Sequence, residues 1–214
     1  MKRMISTMTT IAILGAGATL GGLGLASERT ERAAELEAQR AGAYQVDPVH
    51  TSVIFKIRHS GVANFYGRFN EISGSIDFDG ENFARSEMSF EIPIDSIDTN
   101  SSTRDGHLRN AEFFNERQFP TASFESMGVK EVSDGEYELR GRLTLLGETK
   151  VVRATVTDVR TGEIQGKAAL GFEARFTIKR SEFGFMKYVA KDLSDDGPLG
   201  NNVELVVAVE ALQD

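Results

Sequence analysis

Leu170-Gly-Phe-Glu-Ala-Arg-Phe-Thr-Ile-Lys179 decides the fold. Leu170, Phe172, Ala174, Phe176 and Ile178 alternate with Glu173, Arg175, Thr177 and Lys179. A period of two puts one set on each face of a β-strand. The same alternation recurs downstream in Val203, Leu205, Val207 and Val209. Upstream it recurs in Val152, Ala154 and Val156, and in Tyr137, Leu139, Leu143 and Leu145. Further toward the N-terminus come Ala122 and Phe124, then Met88, Phe90 and Ile92, then Ile72, Gly74, Ile76 and Phe78, then Val53, Phe55 and Ile57. Asp79-Gly80 and Asp134-Gly135 supply hairpin turns, and Thr161-Gly162 is read as the turn before the decisive strand. The sum is about eight antiparallel strands, each with one apolar face, and closure into a barrel would remove the exposed edges. The fold class is all-β. The chain's 214 residues suit one such domain.

One stretch breaks the alternation. Ser101–Phe124 (SSTRDGHLRNAEFFNERQFPTASF) brings together Arg104, Asp105, His107, Arg109 and four phenylalanines. It reads as a short inserted helix, with Leu108, Ala111 and Phe114 on one face, packing down on the barrel as a lid. Arg104 and Asp105 read as an ion-pair and cap arrangement. Glu182 to Asn202 is a long polar loop before the last strand.

Residues 1–26 are a different material. Lys2 and Arg3 are followed by an uncharged run from Met4 to Ala26 with Gly24-x-Ala26 at its end, the pattern of a secretory signal peptide. The run is also long enough to be an uncleaved anchor. Residues 27–43 read as a polar linker, helical or disordered, and the domain is expected over 44–214. There is no cysteine, so neither disulfides nor a lipid anchor on a thiol arise. Without residues 1–26 the chain carries 22 Lys+Arg against 32 Asp+Glu. That acidity, with no basic cluster, argues against nucleic acid and anionic membrane surfaces as partners. The expected setting is periplasmic or secreted, with no stable membrane insertion once the leader is cleaved.

Further motifs arrive in a fixed order: Asp47-Pro-x-His50-Thr, Arg58-His59-x-Gly61-Val62, Gly67-Arg-Phe69, Ser96-Ile-Asp98-Thr99, Arg104-Asp-x-His107-Leu108, Phe119-Pro120-Thr, Gly141-x-Leu143-Thr and Arg180-Ser-x-Phe183-Gly184. As an ordered set these resemble the YceI-like, lipocalin-like polyisoprenoid-binding proteins over about Tyr44 to Leu212. The resemblance implies an extended eight-stranded antiparallel lipocalin-like barrel that sequesters a long isoprenoid lipid, a polyprenyl diphosphate or a quinone, without catalysis and without a cofactor. A homodimer is left open.

Strand parity supports a ligand-lined lumen separately. Val53, Phe55, Ile57, Ile76, Phe90, Ile92, Leu139, Leu143, Phe172 and Phe176 share the inner face, and Phe114 would close it from the helix. The same residues would equally build a solid core, in which case the barrel would be an interaction module. Gly74, Gly141 and Ala174 on the inner parity tilt the reading toward a cavity. His59 and Arg180 follow the last inward residues of their strands, where an arginine fork would suit a diphosphate or carbonyl head group; His107 is a further candidate contact. An enzyme reading finds no cysteine nucleophile and no Gly-x-Ser-x-Gly elbow. Its remaining form is a metal or general-base site built from His50, His59 and His107.

Overall fold

The computed structural model describes residues 29–30 and 40–213. The expected leader and most of the linker lie outside them. Within them the chain forms β1 (Gly42–Val46), β2 (Ser52–His59), β3 (Ala63–Phe69), β4 (Ser73–Phe78), β5 (Glu87–Pro93) and β6 (Ile97–Asp98). There follow the helix α1 (Ser102–Arg109), then β7 (Thr121–Ser133), β8 (Glu136–Leu145), β9 (Glu148–Ile164), β10 (Lys167–Lys179) and β11 (Leu199–Gln213). Among the described residues no helix is long and apolar enough to cross a membrane.

All strand pairings are antiparallel, and they close on themselves. Strands β4, β5, β7, β8, β9, β10 and β11 follow one another edge to edge, and β1 joins β11 to β4. Strand β11 pairs with β1 through Ala211–Gln213 and with β2 through the stretch before it. Likewise β3 continues the line of β4, and β6 that of β5. Three successive pairs of short strands thus act as three interrupted staves, and the result is a closed 8-strand barrel with α1 inserted between β6 and β7.

The interruption between β1 and β2 is bonded as carefully as a strand. The Asp47 N–H donates to Glu210 O at 2.8 Å. The Thr51 hydroxyl donates to Glu210 O and accepts from Glu210 N, each at 3.1 Å, replacing the two ladder bonds that the extra residues displace.

Alternation read from sequence places side chains correctly inside and outside, but one turn moves. Strand β9 runs on through Thr161 and Gly162, which pair with Leu170 and Ala169. The chain reverses instead at Gln165-Gly166, with φ of 52° and 81°. Two successive left-handed residues make the tight turn whose twist matches a hairpin; Thr161-Gly162 carries the same residue types in extended backbone.

The glycines on the inner face also turn out differently from expectation. They do not open a lumen; they seat phenylalanines. A Cβ on Gly141 would overlap the Phe124 ring, one on Gly67 the Phe55 ring, and one on Gly74 both Ser89 O and the Phe90 ring. Each ring lies flat where the facing strand has no side chain, so aromatic volume fills the space that glycine leaves. Gly141→Ala is therefore expected to lower stability by about 1–3 kcal/mol through forced displacement of Phe124, read as a lower urea midpoint with the slope unchanged.

Half of the barrel is solid as a result. Tyr44, Ile76, Phe83, Met88, Leu139, Val156, Leu170 and Phe172 are all buried to 4% exposure or less. Phe83 reaches in from a short 3-10 turn and meets Tyr137 and Phe172 at centroid distances of 5.2 and 5.3 Å.

Candidate functional site

The other half is hollow. A cavity of about 190 Å³ lies between β2, β3, β5, β7, β8, β10 and β11 on one side and the α1 region on the other. Val53, Phe55 and Ile57 line it from β2, and Phe65 and Phe69 from β3. Ile92, Ala122, Leu143, Ile178, Val203 and Leu205 complete the wall. Leu108 of α1, with Phe113 and Phe114 just after it, covers the opening. Arg104 and Arg180 are the only charged residues in this lining.

The helix that forms the cover is shorter than its sequence suggests. Ser101 Oγ caps it by accepting from Arg104 N at 3.4 Å, and it ends at Arg109 with Asn110 as C-cap. Ala111 consequently points to solvent, and Phe114 reaches the cavity from the following turn, where its N–H donates to Leu108 O at 2.9 Å. Phe114 packs edge-on against Phe69 and Phe185, at centroid distances of 5.8 and 4.9 Å.

Arg104 and Asp105 do not pair with each other; both act through Thr99. The Arg104 Nε donates to Thr99 Oγ1 at 2.8 Å and its Nη2 to Thr99 O. Asp105 Oδ1 accepts from Thr99 N at 2.9 Å and from the Thr99 hydroxyl. The Arg104 guanidinium also lies 4.7 Å from the centre of the Phe65 ring. It is thereby held over that ring at the cavity rim, with two of its five N–H groups engaged by Thr99.

Arg180 is buried, with 6% exposure, and spends its fork on main chain. Nε donates to Gly200 O at 2.7 Å, Nη1 to Phe185 O and Lys187 O at 3.0 and 2.8 Å, and Nη2 to Leu199 O at 3.1 Å. Burial pulls its pKa down from the ordinary value, with Asp195 pulling the other way. The guanidinium is thus a clasp that ties both ends of the loop between β10 and β11. Asn201 reinforces it, accepting from Ser181 N at 3.1 Å and donating to Leu193 O at 2.9 Å. The sequence signal was an arginine ending an alternating strand before a long polar loop; which acceptors it would meet was not readable there.

Of the residues expected to line a lumen, Val53, Phe55, Ile57, Ile92, Phe114, Leu143 and Arg180 come together at the cavity. Ile76, Phe90, Leu139 and Phe172 belong to the solid half, and Phe176 packs against it. His59 lies exposed at the end of β2. His107 is exposed on α1, against the Phe113 ring at 5.1 Å. Missed by strand parity were Phe65, Phe69, Phe113, Phe185 and Leu199, which enter from β3, the turns and the loop.

The three histidines do not share a site. His50 sits in the joint before β2 and His59 at its far end, and 8 residues of strand at roughly 3.3 Å each keep them more than about 20 Å apart. A three-histidine metal or general-base centre is excluded by that distance. His50 instead bonds Asp47 Oδ2 through Nδ1 at 2.8 Å, with Glu210 Oε1 at 3.5 Å. The hydrogen bond His50 donates to Asp47 and the charges of Asp47 and Glu210 raise its pKa above the usual 6.5. The stability this gives is fully present below the free-histidine pKa and is lost as pH rises through the raised value. His50→Gln is thus expected to lower the urea midpoint more at about pH 5.5 than at about pH 8.5; equal losses at both would refute the charged-pair account.

The YceI-like domain family matches residues 44–211, the whole barrel from β1 to β11. The chain belongs to that family. A UPF0312 protein of Pectobacterium atrosepticum is 36% identical to this YceI-like chain over 190 residues, covering 88% of this chain and 92% of the relative. A crystal structure of the Campylobacter jejuni YceI protein superposes with a TM-score of 0.62 at 27% identity, over 72% of this chain and 87% of that one. A polyisoprenoid binding domain from Saccharophagus degradans, implicated in plant cell wall breakdown, shares the fold at a TM-score of 0.61 and 15% identity, over 80% and 98% of the two chains. The YceI-like barrel is thus the scaffold on which this cavity, its α1 cover and the Arg180-clasped loop are built.

Proposed function

We propose that this chain is a non-catalytic binder and carrier of an isoprenoid lipid, held tail-first in the cavity with its polar head at Arg104. The observation that carries this is the lining: apolar side chains apart from Arg180, whose N–H groups are spent on main chain, and Arg104 at the rim. Transfer of hydrocarbon from water into such a space is worth about 0.8 kcal/mol per methylene. The N–H groups of Arg104 not taken by Thr99 suit an oxygen-rich head group, either the diphosphate of a prenyl chain or the carbonyl of a quinone. Membership of the YceI-like family and the polyisoprenoid binding named for the Saccharophagus domain favour the same ligand class. The leader-like residues 1–26 suit a periplasmic or secreted carrier.

Native mass spectrometry of the protein purified from its own host tests the proposal, with lipid extraction of the same sample. The expected result is a co-purifying species that carries the mass of a prenyl lipid and is released by organic solvent. A protein that comes out empty and then takes up neither added quinone nor prenyl diphosphate would sink it.

A further inference from the structure

We infer that the Glu112–Lys187 ion pair latches the entrance to the cavity, and that the α1 cover parts from the β10–β11 loop along that seam to admit a ligand; the inference rests on the lipid-binding reading above. Two segments far apart in the chain meet over the cavity. Leu108, Phe113 and Phe114 come from α1 and the turn after it, and Phe185 and Leu199 come from the loop. Where they meet, Lys187 Nζ donates to Glu112 Oε1 at 2.6 Å across 75 residues of sequence. Beside it Phe113 faces Tyr188 at 6.2 Å and Phe114 meets Phe185 at 4.9 Å. Among the described residues no main-chain hydrogen bond crosses this seam.

The other borders are bound more firmly. On the β6 side Arg104 and Asp105 hold Thr99 through four hydrogen bonds. Where the cover rejoins β7, the Ile94 N–H donates to Pro120 O at 2.8 Å. The wall strands β2 and β3, β5 and β7, and β10 and β11 are joined by ladders, so parting them breaks several main-chain bonds at once. The loop side of the seam is fixed as well, because Arg180 donates to both Phe185 O and Lys187 O. The cover is therefore the part that moves, with its Thr99 attachment as the hinge. The latch itself is open to water, with Lys187 36% and Glu112 55% exposed, and an exposed ion pair holds only weakly. The second partner of Glu112, His107 Nε2 at 3.6 Å, belongs to the cover and travels with it.

The chain has no cysteine, so two thiols can be placed across the seam without competition. In Glu112→Cys/Lys187→Cys the thiols are bridged with bismaleimidoethane, each adding across one maleimide double bond with its proton passing to the neighbouring carbon. The probe is farnesyl diphosphate carrying a fluorescent anthraniloyl group, with uptake followed by stopped flow and release by displacement with unlabelled farnesyl diphosphate. Bridging is expected to slow uptake and release together by at least about tenfold, while capping the same thiols singly with N-ethylmaleimide does not. Lys187→Glu should speed both rates by about threefold to fivefold with Kd little changed, because the latch closes over the empty and the filled cavity alike. The swapped pair Glu112→Lys/Lys187→Glu should restore the wild-type rates. Bridged protein that exchanges the probe as fast as the capped control overturns the latch and leaves lipid binding intact. If the bridge does not form, unchanged rates in Lys187→Glu overturn it instead. If the wild-type protein takes up no probe, lipid binding itself fails and the latch with it.

Discussion

Arg180→Ala is expected to cost about 4 kcal/mol of stability and to release the loop between β10 and β11. Four main-chain carbonyls, on Phe185, Lys187, Leu199 and Gly200, lose their donor at once. A carbonyl buried without a partner costs about 1–3 kcal/mol, and the sum is reduced where water reaches the vacated space. Losing the charge itself is no loss, because burial already opposes it. Arg180→Lys should recover less than half of the effect, since one ammonium cannot span acceptors placed for a planar fork. The measurements are urea unfolding and limited proteolysis between Met186 and Pro198. Phe185 and Leu199 line the cavity, so ligand affinity should fall with the loop. A stability loss under about 1 kcal/mol would show that the clasp is dispensable.

Ala122→Phe is expected to abolish ligand binding while leaving the barrel folded. Ala122 is 5% exposed and lines the cavity, paired across β5 and β7 with Ile92. A phenyl ring added there enters the 190 Å³ space rather than close-packed neighbours. Overpacking of a filled core costs about 1–3 kcal/mol; here the ring gains apolar contacts, and stability should change by less than about 1 kcal/mol. Affinity for an added prenyl diphosphate should drop at least about a hundredfold, close to 3 kcal/mol. If the variant binds as well as the wild type, the ligand sits elsewhere on the protein.

The barrel was legible because alternation is a local property of the chain. Leu170 to Ile178 shows its face whatever lies opposite, and eight staves were countable even though three are interrupted. Depth along the barrel is not local. Phe55 and Phe90 have the same parity and the same residue type, yet one lines the cavity and the other is buried in the core. Gly141 looked like an opening because its own side chain is missing; the ring that fills the gap comes from Phe124, on another strand. Arg180 looked like a head-group contact for a related reason. Its acceptors come from Gly200, Leu199, Phe185 and Lys187, and a guanidinium's choice between a ligand and its own backbone is made only by the folded loop.

Joining β1 to β11 also sets a timetable for folding. Gln213 Nε2 donates to Ala41 O at 2.9 Å across a sequence separation of 172 residues, and β1 pairs with β11 through only the last few residues of that strand. Hairpins such as β8–β9 can form as soon as both strands exist, but the ring shuts only when the far end of the chain arrives to meet Tyr44. Contacts of such long range come late and slowly. Until then β1 and β2 on one side and β10 on the other are unprotected edges, each able to accept a strand from another molecule. Edge-to-edge association of this protein is thus favoured before its last strand docks, and a strand-shielding chaperone would act on the open ring rather than on the finished barrel.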